Sequence, residues 1–215
     1  MSGAADGNAI AHDNPHVARA MAVGRVPGGG GLVPLNYGLG IWHVRQRAPR
    51  DLAPQWAQIL RFGYSQTVAA DRYSAHRLFA DGRFALPGLA RHHALVLESG
   101  YQRNHGSYTF STVILFPRGY TPYTVPNLRK LSATYSAPLF YPDWSIGQLL
   151  YIRRVAGDLF YDYGKVADQI YRSTGVEIVF DLNIFHWPGF RVGVRDSYRV
   201  DYRNKRIQPF IAYSW

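Results

Sequence analysis

Hydrophobic and polar residues alternate along much of the chain with a period of two. The pattern is clearest in residues 175–184 and 190–201. In the second segment, one side carries Phe190, Val192, Val194, Asp196, Tyr198 and Val200, and the other carries Arg191, Gly193, Arg195, Ser197, Arg199 and Asp201. Successive side chains of a β-strand point to opposite faces of a sheet, so the pattern predicts strands with one apolar and one polar face.

Similar segments recur along most of the chain, separated by clusters of glycine, proline, asparagine and aspartate that favour turns. Spacing typical of helices is nearly absent. We predict about ten strands, over Leu35–Val44, Trp56–Val68, Tyr73–Leu86, His92–Gln102, Tyr108–Phe116, Leu128–Leu139, Tyr151–Gly164, 175–184, 190–201 and Ile207–Trp215. The predicted fold class is therefore all-β.

The polar sides of three predicted strands carry charges of both signs. A hairpin with its turn at His186–Gly189 would place Glu177 and Asp181 opposite or diagonal to Arg195 and Arg199. The candidate charge stripe consists of Arg154, Asp158, Glu177, Asp181, Arg191, Arg195 and Arg199. We expect these charges to pair across neighbouring strands.

Composition changes the picture from a generic β-protein to a membrane protein. The net charge is +10, and all but three of the 24 cationic residues are arginine, which is preferred where a cation is held in a confined space. Arginine balanced by acids on one face suits an enclosed aqueous lumen, and the apolar face suits lipid. Aromatic residues near segment ends fit interfacial girdles. We therefore predict an antiparallel transmembrane β-barrel.

The first part of the sequence differs from the rest. Residues 1–34 are small and polar and end in the run Pro27–Gly31, so we predict a flexible leader followed by a barrel domain over 35–215. The chain has no cysteine, no stretch apolar enough for a transmembrane helix and no secretory signal pattern. We therefore expect either that the protein stays inside the cell or that this chain is a piece of a longer one.

Two soluble folds are also compatible with the alternation. A basic β-barrel could bind nucleic acid through arginine and aromatic residues, but the acids that balance arginine on the same face argue against this partner. A lipocalin-like carrier would turn its apolar residues inward around a small ligand. The direction of Val192, Val194 and Val200 relative to the arginine side of the same strand separates these alternatives.

No residue pattern indicates an enzyme. The sequence contains no nucleophile elbow, phosphate-binding loop or dinucleotide fingerprint. His12 and His16 have the spacing of helical metal ligands but lie in the predicted leader, and His92 and His93 would point to opposite faces of a strand. We therefore predict no catalytic residues, no metal site and no cofactor.

Two short motifs resemble those of the bacterial surface antigen family, which includes the barrels of the outer-membrane assembly factor and of two-partner-secretion transporters. The first motif is Phe-Pro-Arg-Gly-Tyr at 116–120, and the second is Phe-Tyr-Asp-Tyr-Gly at 160–164, with five predicted strands after the first motif. In that family a loop carrying Arg-Gly-aromatic folds back into the lumen and meets the aspartate of a Phe-x-Asp-x-Gly strand. The resemblance implies a loop motif of Arg118, Gly119 and Tyr120, and a strand motif of Phe160, Asp162 and Gly164, with Arg118 paired to Asp162.

The last strand also resembles a family feature, the C-terminal signal that the barrel assembly machinery recognises. Its residues here would be Ile211, Tyr213 and Trp215. The family barrel has about sixteen strands, which at roughly 20 residues per strand and connection exceed this chain. Together with the absent signal, the resemblance implies the C-terminal part of a larger outer-membrane barrel, or else a small ten-stranded relative. The resemblance implies a bacterial outer-membrane location, contacts with the bilayer and the assembly machinery, and a role as insertion or translocation scaffold for unfolded polypeptide, or as anchor of an upstream domain.

Overall fold

The computed structural model describes residues 17–22, 33–45, 51–68, 74–147, 149–184 and 187–213. All regular secondary structure in these ranges is β-strand. The strands all belong to one sheet, which confirms the all-β class. The strands are β1 (Val17–Ala22), β2 (Val33–Val44), β3 (Ala57–Val68), β4 (Ala75–Pro87), β5 (Ala94–Gly106), β6 (Asn127–Phe140), β7 (Trp144–Ile146), β8 (Leu150–Val166), β9 (Gln169–Ile184), β10 (Trp187–Arg199) and β11 (Asn204–Tyr213).

The sheet is an antiparallel meander. Each long strand pairs with the next long strand in the chain, whereas the short β7 lies off this path and pairs with β8. Within the described ranges, β1 and β11 each have a single neighbouring strand. The antiparallel arrangement is thus confirmed, and closure of the sheet into a barrel stays a prediction.

The predicted leader needs a correction. Residues 17–22 form β1 and pair with β2, so the leader prediction for 1–34 is wrong over this segment. Backbone hydrogen bonds to a neighbouring strand can order a segment whose composition alone would leave it flexible. The glycine run at 28–31 and both leader histidines, His12 and His16, lie outside the described residues.

The predicted strand Tyr108–Phe116 is also wrong. These residues belong to a connection between β5 and β6, residues 107–126, which contains no strand and which we call the inserted loop. Side chains replace a neighbouring strand as hydrogen-bond partners of its backbone: Gln102 Oε1 accepts from Val113 N at 2.7 Å. Alternation therefore gives this segment one apolar and one polar side, although no neighbouring strand pairs with it.

The two faces of the sheet have opposite character. One face, which we call the apolar face, exposes large hydrophobic side chains in the middle of the strands, such as Leu159 at 59% and Val194 at 50% exposed. The opposite polar face carries the charge stripe, and Asp162 on it is 0% exposed. This orientation is the reverse of the one that a lipocalin-like carrier requires.

The sheet curls so that its polar face encloses the inserted loop. One cavity is lined by residues of strands as far apart as Arg83 of β4 and Phe210 of β11. The main hydrophobic cluster lies between the loop and this face and consists of Ile114, Phe116, Tyr120, Val125, Leu128, Val166 and Tyr171. The core of the described region is therefore formed by the loop and the strands together.

Candidate functional site

The base of the inserted loop is cross-linked before the loop reaches the motif Phe-Pro-Arg-Gly-Tyr. The Asn104 side chain donates hydrogen bonds to the carbonyl groups of Phe110 at 3.2 Å and Val125 at 2.9 Å. Thr112 Oγ1 donates to the Tyr123 carbonyl at 3.1 Å. These bonds join the outgoing and returning arms of the loop. They hold the base of the loop in one conformation, which positions the tip.

Arg118 lies at the tip and binds Asp162 of β8, the pair predicted from the two motifs. Its Nε and Nη2 atoms donate to the two carboxylate oxygens of Asp162 at 2.9 and 2.7 Å, and its backbone N–H donates to Oδ2 at 2.7 Å. Nη2 also donates to Ser132 at 2.9 Å and Thr134 at 2.8 Å on β6, and Nη1 lies 3.3 Å from Glu177. The predicted contact is confirmed, and hydroxyl groups of β6 complete it.

This ion pair is buried and geometrically complete. The Asp162 side chain is 0% and that of Arg118 16% exposed, and the guanidinium carbon lies 3.9 Å from the centre of the Phe160 ring. Burial opposes the charge of Arg118, but its bonds to Asp162 outweigh this effect and raise the pKa of the guanidinium. A bidentate arginine–carboxylate pair with its remaining donors satisfied fixes position as well as charge.

Two motif glycines are explained by close contacts. Gly119 has a φ of +86°, and a Cβ atom added there would lie 2.6 Å from Ser197 Oγ. A Cβ atom added at Gly164 would lie 2.5 Å from Cγ of Pro117. Glycine at both positions therefore lets the loop tip approach β8 and β10 more closely than any other residue would allow.

Tyr120 anchors the returning side of the tip. Its hydroxyl donates to the Arg172 carbonyl at 2.9 Å, and its ring packs edge-on against Tyr171 with the centres 5.1 Å apart. Burial and the nearby Asp201 carboxylate raise the pKa of the Tyr120 phenol to about 12. The hydroxyl therefore stays protonated and can keep donating its hydrogen bond at any ordinary pH.

The predicted charge stripe forms as paired charges across β8, β9 and β10. Arg195 donates to Glu177 at 2.6 Å, and Arg191 contacts Asp181 at 3.1 Å and Asp158 at 3.7 Å. Arg154 also binds Asp181. Arg154, Arg191 and Arg195 are thus each paired with acids of the same face.

One part of the predicted stripe is wrong. Arg199 was expected opposite or diagonal to Glu177 or Asp181, but the register places Ser173 opposite Arg199. Its Nε atom instead donates to the side-chain carbonyl oxygen of Asn204 at 2.6 Å. Because Arg195 pairs with Glu177, Arg199 lies four residues further along β10, too far from Glu177 and Asp181 to contact either.

A second segment lies on the polar face at the opposite end of the strands. Residues 51–56, which we call the inserted segment, precede β3, and the Arg154 Nη1 atom donates to the Asp51 carbonyl at 2.6 Å. The Asp51 carboxylate lies 2.8 Å from His92 Nδ1. The sequence did not indicate this arrangement, because a backbone carbonyl can belong to any residue type.

A cavity of about 920 Å³ lies between the inserted loop and the inserted segment. Three further charged residues on its wall extend the stripe to β4, β5 and β6: Glu98 is 3.4 Å from both Arg83 and Lys130. These three residues are not part of the predicted charge stripe, although the same alternation in β4 and β5 is a signal for them. The cavity wall is therefore charged, with cations and acids in close pairs.

The three residues of the predicted assembly signal are described only in part. Ile211 points outward from β11 and is 76% exposed. Tyr213 ends β11, but its side chain and Trp215 lie outside the described residues. Among the residues that the structure describes, no group of three or more metal-binding side chains occurs, and no helix could cross a bilayer.

Comparison with models of known protein families finds no match, and neither does a search of curated protein sequences. The resemblance to the surface antigen family therefore depends on the motif residues and their geometry. Those residues are Arg118, Gly119 and Tyr120 in the loop, and Phe160, Asp162 and Gly164 in β8.

Proposed function

We propose that this chain is a membrane-spanning antiparallel β-sheet of a bacterial outer membrane, similar in design to surface antigen barrels, with the inserted loop held on its polar face. The observation that carries the proposal is the contrast between the faces. Large hydrophobic side chains are exposed mid-strand on β6, β8, β9, β10 and β11: Leu131, Leu159, Ile178, Val194 and Ile211. On the opposite face of β8 and β9, the charged side chains of Asp158, Glu177 and Asp181 are buried.

A bilayer gives this contrast a physical reason. A hydrophobic surface that runs across several strands is rarely left in water by a monomeric protein, because apolar surface gains about 25 cal/mol per Å² on leaving water. Strands in lipid alternate apolar-out and polar-in. The arginine-rich face, filled by the protein's own loop, then needs no contact with lipid.

The filled polar face favours a role as a scaffold over a role as an open pore. The buried pair of Arg118 and Asp162 holds the loop where a passing polypeptide would otherwise lie. We propose that the chain serves polypeptide insertion or translocation, or anchors an upstream domain. Uptake of an unfolded polypeptide into vesicles that contain the Arg118→Ala protein distinguishes the two: a change relative to wild type supports translocation, and no change supports an anchor.

Nucleic acid is not part of this proposal. Arg191 and Arg195 of the polar face are bound to acids of the same face, and Arg118 is bound to Asp162. Phosphate binding would have to break these pairs, since the affinity of basic surfaces for nucleic acid comes from unneutralised cations.

The membrane location can be tested with two leucine variants of equal chemistry. Leu159 lies in the middle of β8, and Leu89 lies in the turn between β4 and β5, where it is 96% exposed. Leu159→Arg should destabilise the protein in lipid vesicles by about 2–4 kcal/mol, since arginine there would meet the bilayer interior, and Leu89→Arg should have little effect. Urea titration with heat-modifiable gel mobility measures both.

Two results would count against the membrane location. The first is equal stability of the two variants in vesicles. The second is a wild-type chain that forms the same sheet in buffer without lipid or detergent, with Leu159 covered by another copy of the chain.

A further inference from the structure

A group of cationic side chains lies on the otherwise apolar face, near the end of the strands from which the inserted loop departs. Tyr101 and Arg103 of β5, Arg129 of β6 and Lys165 of β8 line a cavity of about 220 Å³ together with Asn127 and Ala167. The register places Arg129 opposite both Tyr101 and Lys165. Three neighbouring strands of the sheet, β5, β6 and β8, therefore direct cations to one shallow outward pocket.

These cations differ from the arginines of the polar face because no acid neutralises them within the described residues. Arg103, Arg129 and Lys165 form no ion pair there, and Arg129 lies over the Tyr101 ring at 5.6 Å. The turn after β8 carries Asp168, which forms no ion pair with them in the described ranges. On the same outer face, Arg172 is bound to Asp201 at 2.9 Å. Outward cations at other positions therefore do have acidic partners.

Like charges directly opposite each other on neighbouring strands destabilise a sheet. The Arg129–Lys165 pair is such an arrangement, with Arg103 close by. An anion from outside the chain would offset this repulsion if it occupied the pocket. Its volume is smaller than that of sites for drug-sized molecules, and it suits a single phosphate group.

The position of the pocket along the strands indicates where that anion comes from. Asn127 begins β6 and Lys165 is the penultimate residue of β8, while Leu131, two positions from Arg129 on the same face, is 59% exposed in the apolar region. The pocket therefore lies where the hydrophobic surface ends. In a bilayer this level is occupied by lipid headgroups.

We propose that Arg103, Arg129 and Lys165, with Tyr101, form a binding site for the phosphate group of an anionic lipid. This inference rests on the proposed membrane location. The arginine guanidinium groups can donate paired hydrogen bonds to phosphate oxygens, lysine supplies a compact point charge, and the Tyr101 hydroxyl supplies a further donor. The lipid chains then extend along the neighbouring apolar face.

The test uses the refolded chain in phosphatidylcholine nanodiscs to which phosphatidylglycerol is added, with bound lipid counted by native mass spectrometry. The site variant is the double substitution Arg129→Gln and Lys165→Gln. The control is Arg91→Gln with Lys205→Gln, which removes the same charge from exposed positions outside the pocket. We expect the site variant to bind phosphatidylglycerol roughly tenfold more weakly than wild type, and the control to bind as wild type, since one charged hydrogen bond contributes about 1.5–3 kcal/mol.

Other outcomes would overturn the inference. Equal loss in both double variants would indicate a diffuse charge effect, and full competition by water-soluble glycerol phosphate would indicate a free phosphate site instead of a lipid site. Absence of phosphatidylglycerol binding by protein that shows heat-modifiable mobility in the nanodisc would refute the site alone. Failure of the protein to enter the nanodisc would refute the membrane location as well.

Discussion

Two segments lie on the polar face, and different kinds of contact hold them there. The inserted loop is bound through the side chain of Arg118, which meets the carboxylate of Asp162. The inserted segment is bound through a backbone carbonyl, that of Asp51, which accepts from Arg154. The first contact requires two particular residue types, whereas the second requires only one. The loop is therefore sensitive to substitution on both sides, and the segment mainly on the strand side.

The largest effect is expected for Asp162→Ala. The substitution leaves the buried Arg118 guanidinium without its main partner, which should destabilise the folded protein by about 3–5 kcal/mol and release the loop to protease. Urea titration and limited proteolysis of the inserted loop measure this. Asp168→Ala, in an exposed turn, serves as control and should change stability by no more than about 0.5 kcal/mol.

A double-mutant cycle makes this prediction specific to the pair. Arg118→Ala combined with Asp162→Ala should cost much less than the two single losses added together, since both singles break the same contact. Strict additivity would show that the two residues stabilise the protein independently.

A smaller effect is expected for Gly119→Ala. Its positive φ and the contact with Ser197 Oγ should together cost about 1–3 kcal/mol, again seen as faster cleavage of the loop. Gly147→Ala is a matched control, because Gly147 has a φ of +58° but nothing within 4 Å of an added Cβ atom. The difference between the variants measures the close approach to Ser197, and equal losses would assign the effect to backbone strain alone.

The inserted segment should respond more weakly to changes in its own residue. Asp51→Ala keeps the carbonyl that binds Arg154 but removes the buried carboxylate that contacts His92, so we expect a loss of about 0.5–1.5 kcal/mol. Arg154→Gln should have the larger effect on stability and on cleavage between residues 51 and 56. If Asp51→Ala were the more damaging of the two, the contrast between side-chain and backbone attachment would be wrong.

The smallest effect concerns the Tyr120 phenol. Its pKa of about 12 in the folded protein exceeds the ordinary value of about 10, so its contribution to stability is complete below pH 10 and is lost as the pH rises towards 12. The tyrosinate absorption that develops last, as the pH rises towards 12, should be smaller in Tyr120→Phe than in wild type. If the Tyr120 phenol instead ionised at the same pH as the exposed tyrosines, its role as a second anchor of the loop would be wrong.

Much of the sheet could be predicted from alternation, and its limits have a common cause. Glu177 and Arg195 were placed together because both lie on the polar side of neighbouring strands. Alternation does not fix register, so Arg199 was given the wrong partners. It does not reveal whether a segment has a neighbouring strand, so Tyr108–Phe116 was predicted as a strand and 17–22 as a leader.

The candidate site could be predicted only where both partners of a contact use their side chains. The motifs at 116–120 and 160–164 indicated the pair of Arg118 and Asp162. The carbonyl of Asp51 and the three outward cations near Tyr101 had no comparable signal, because the first depends on backbone position and the second on which face each strand turns outward. The family relationship stays a prediction, and so does the membrane location, which the vesicle experiments test.

The reach of the inserted loop bears on how the protein folds. Its contacts extend from Arg77 of β4, which binds the Ser111 carbonyl at 2.9 Å, to Arg206 of β11, which binds Thr121 at 3.0 Å. Residues so distant in sequence meet late, because long-range contacts form slowly. The loop can form all of its contacts only after β11 has paired with β10. A chain that lacks β11 would therefore leave Thr121 of the loop without its partner Arg206, and a fully docked loop would report that β11 has paired.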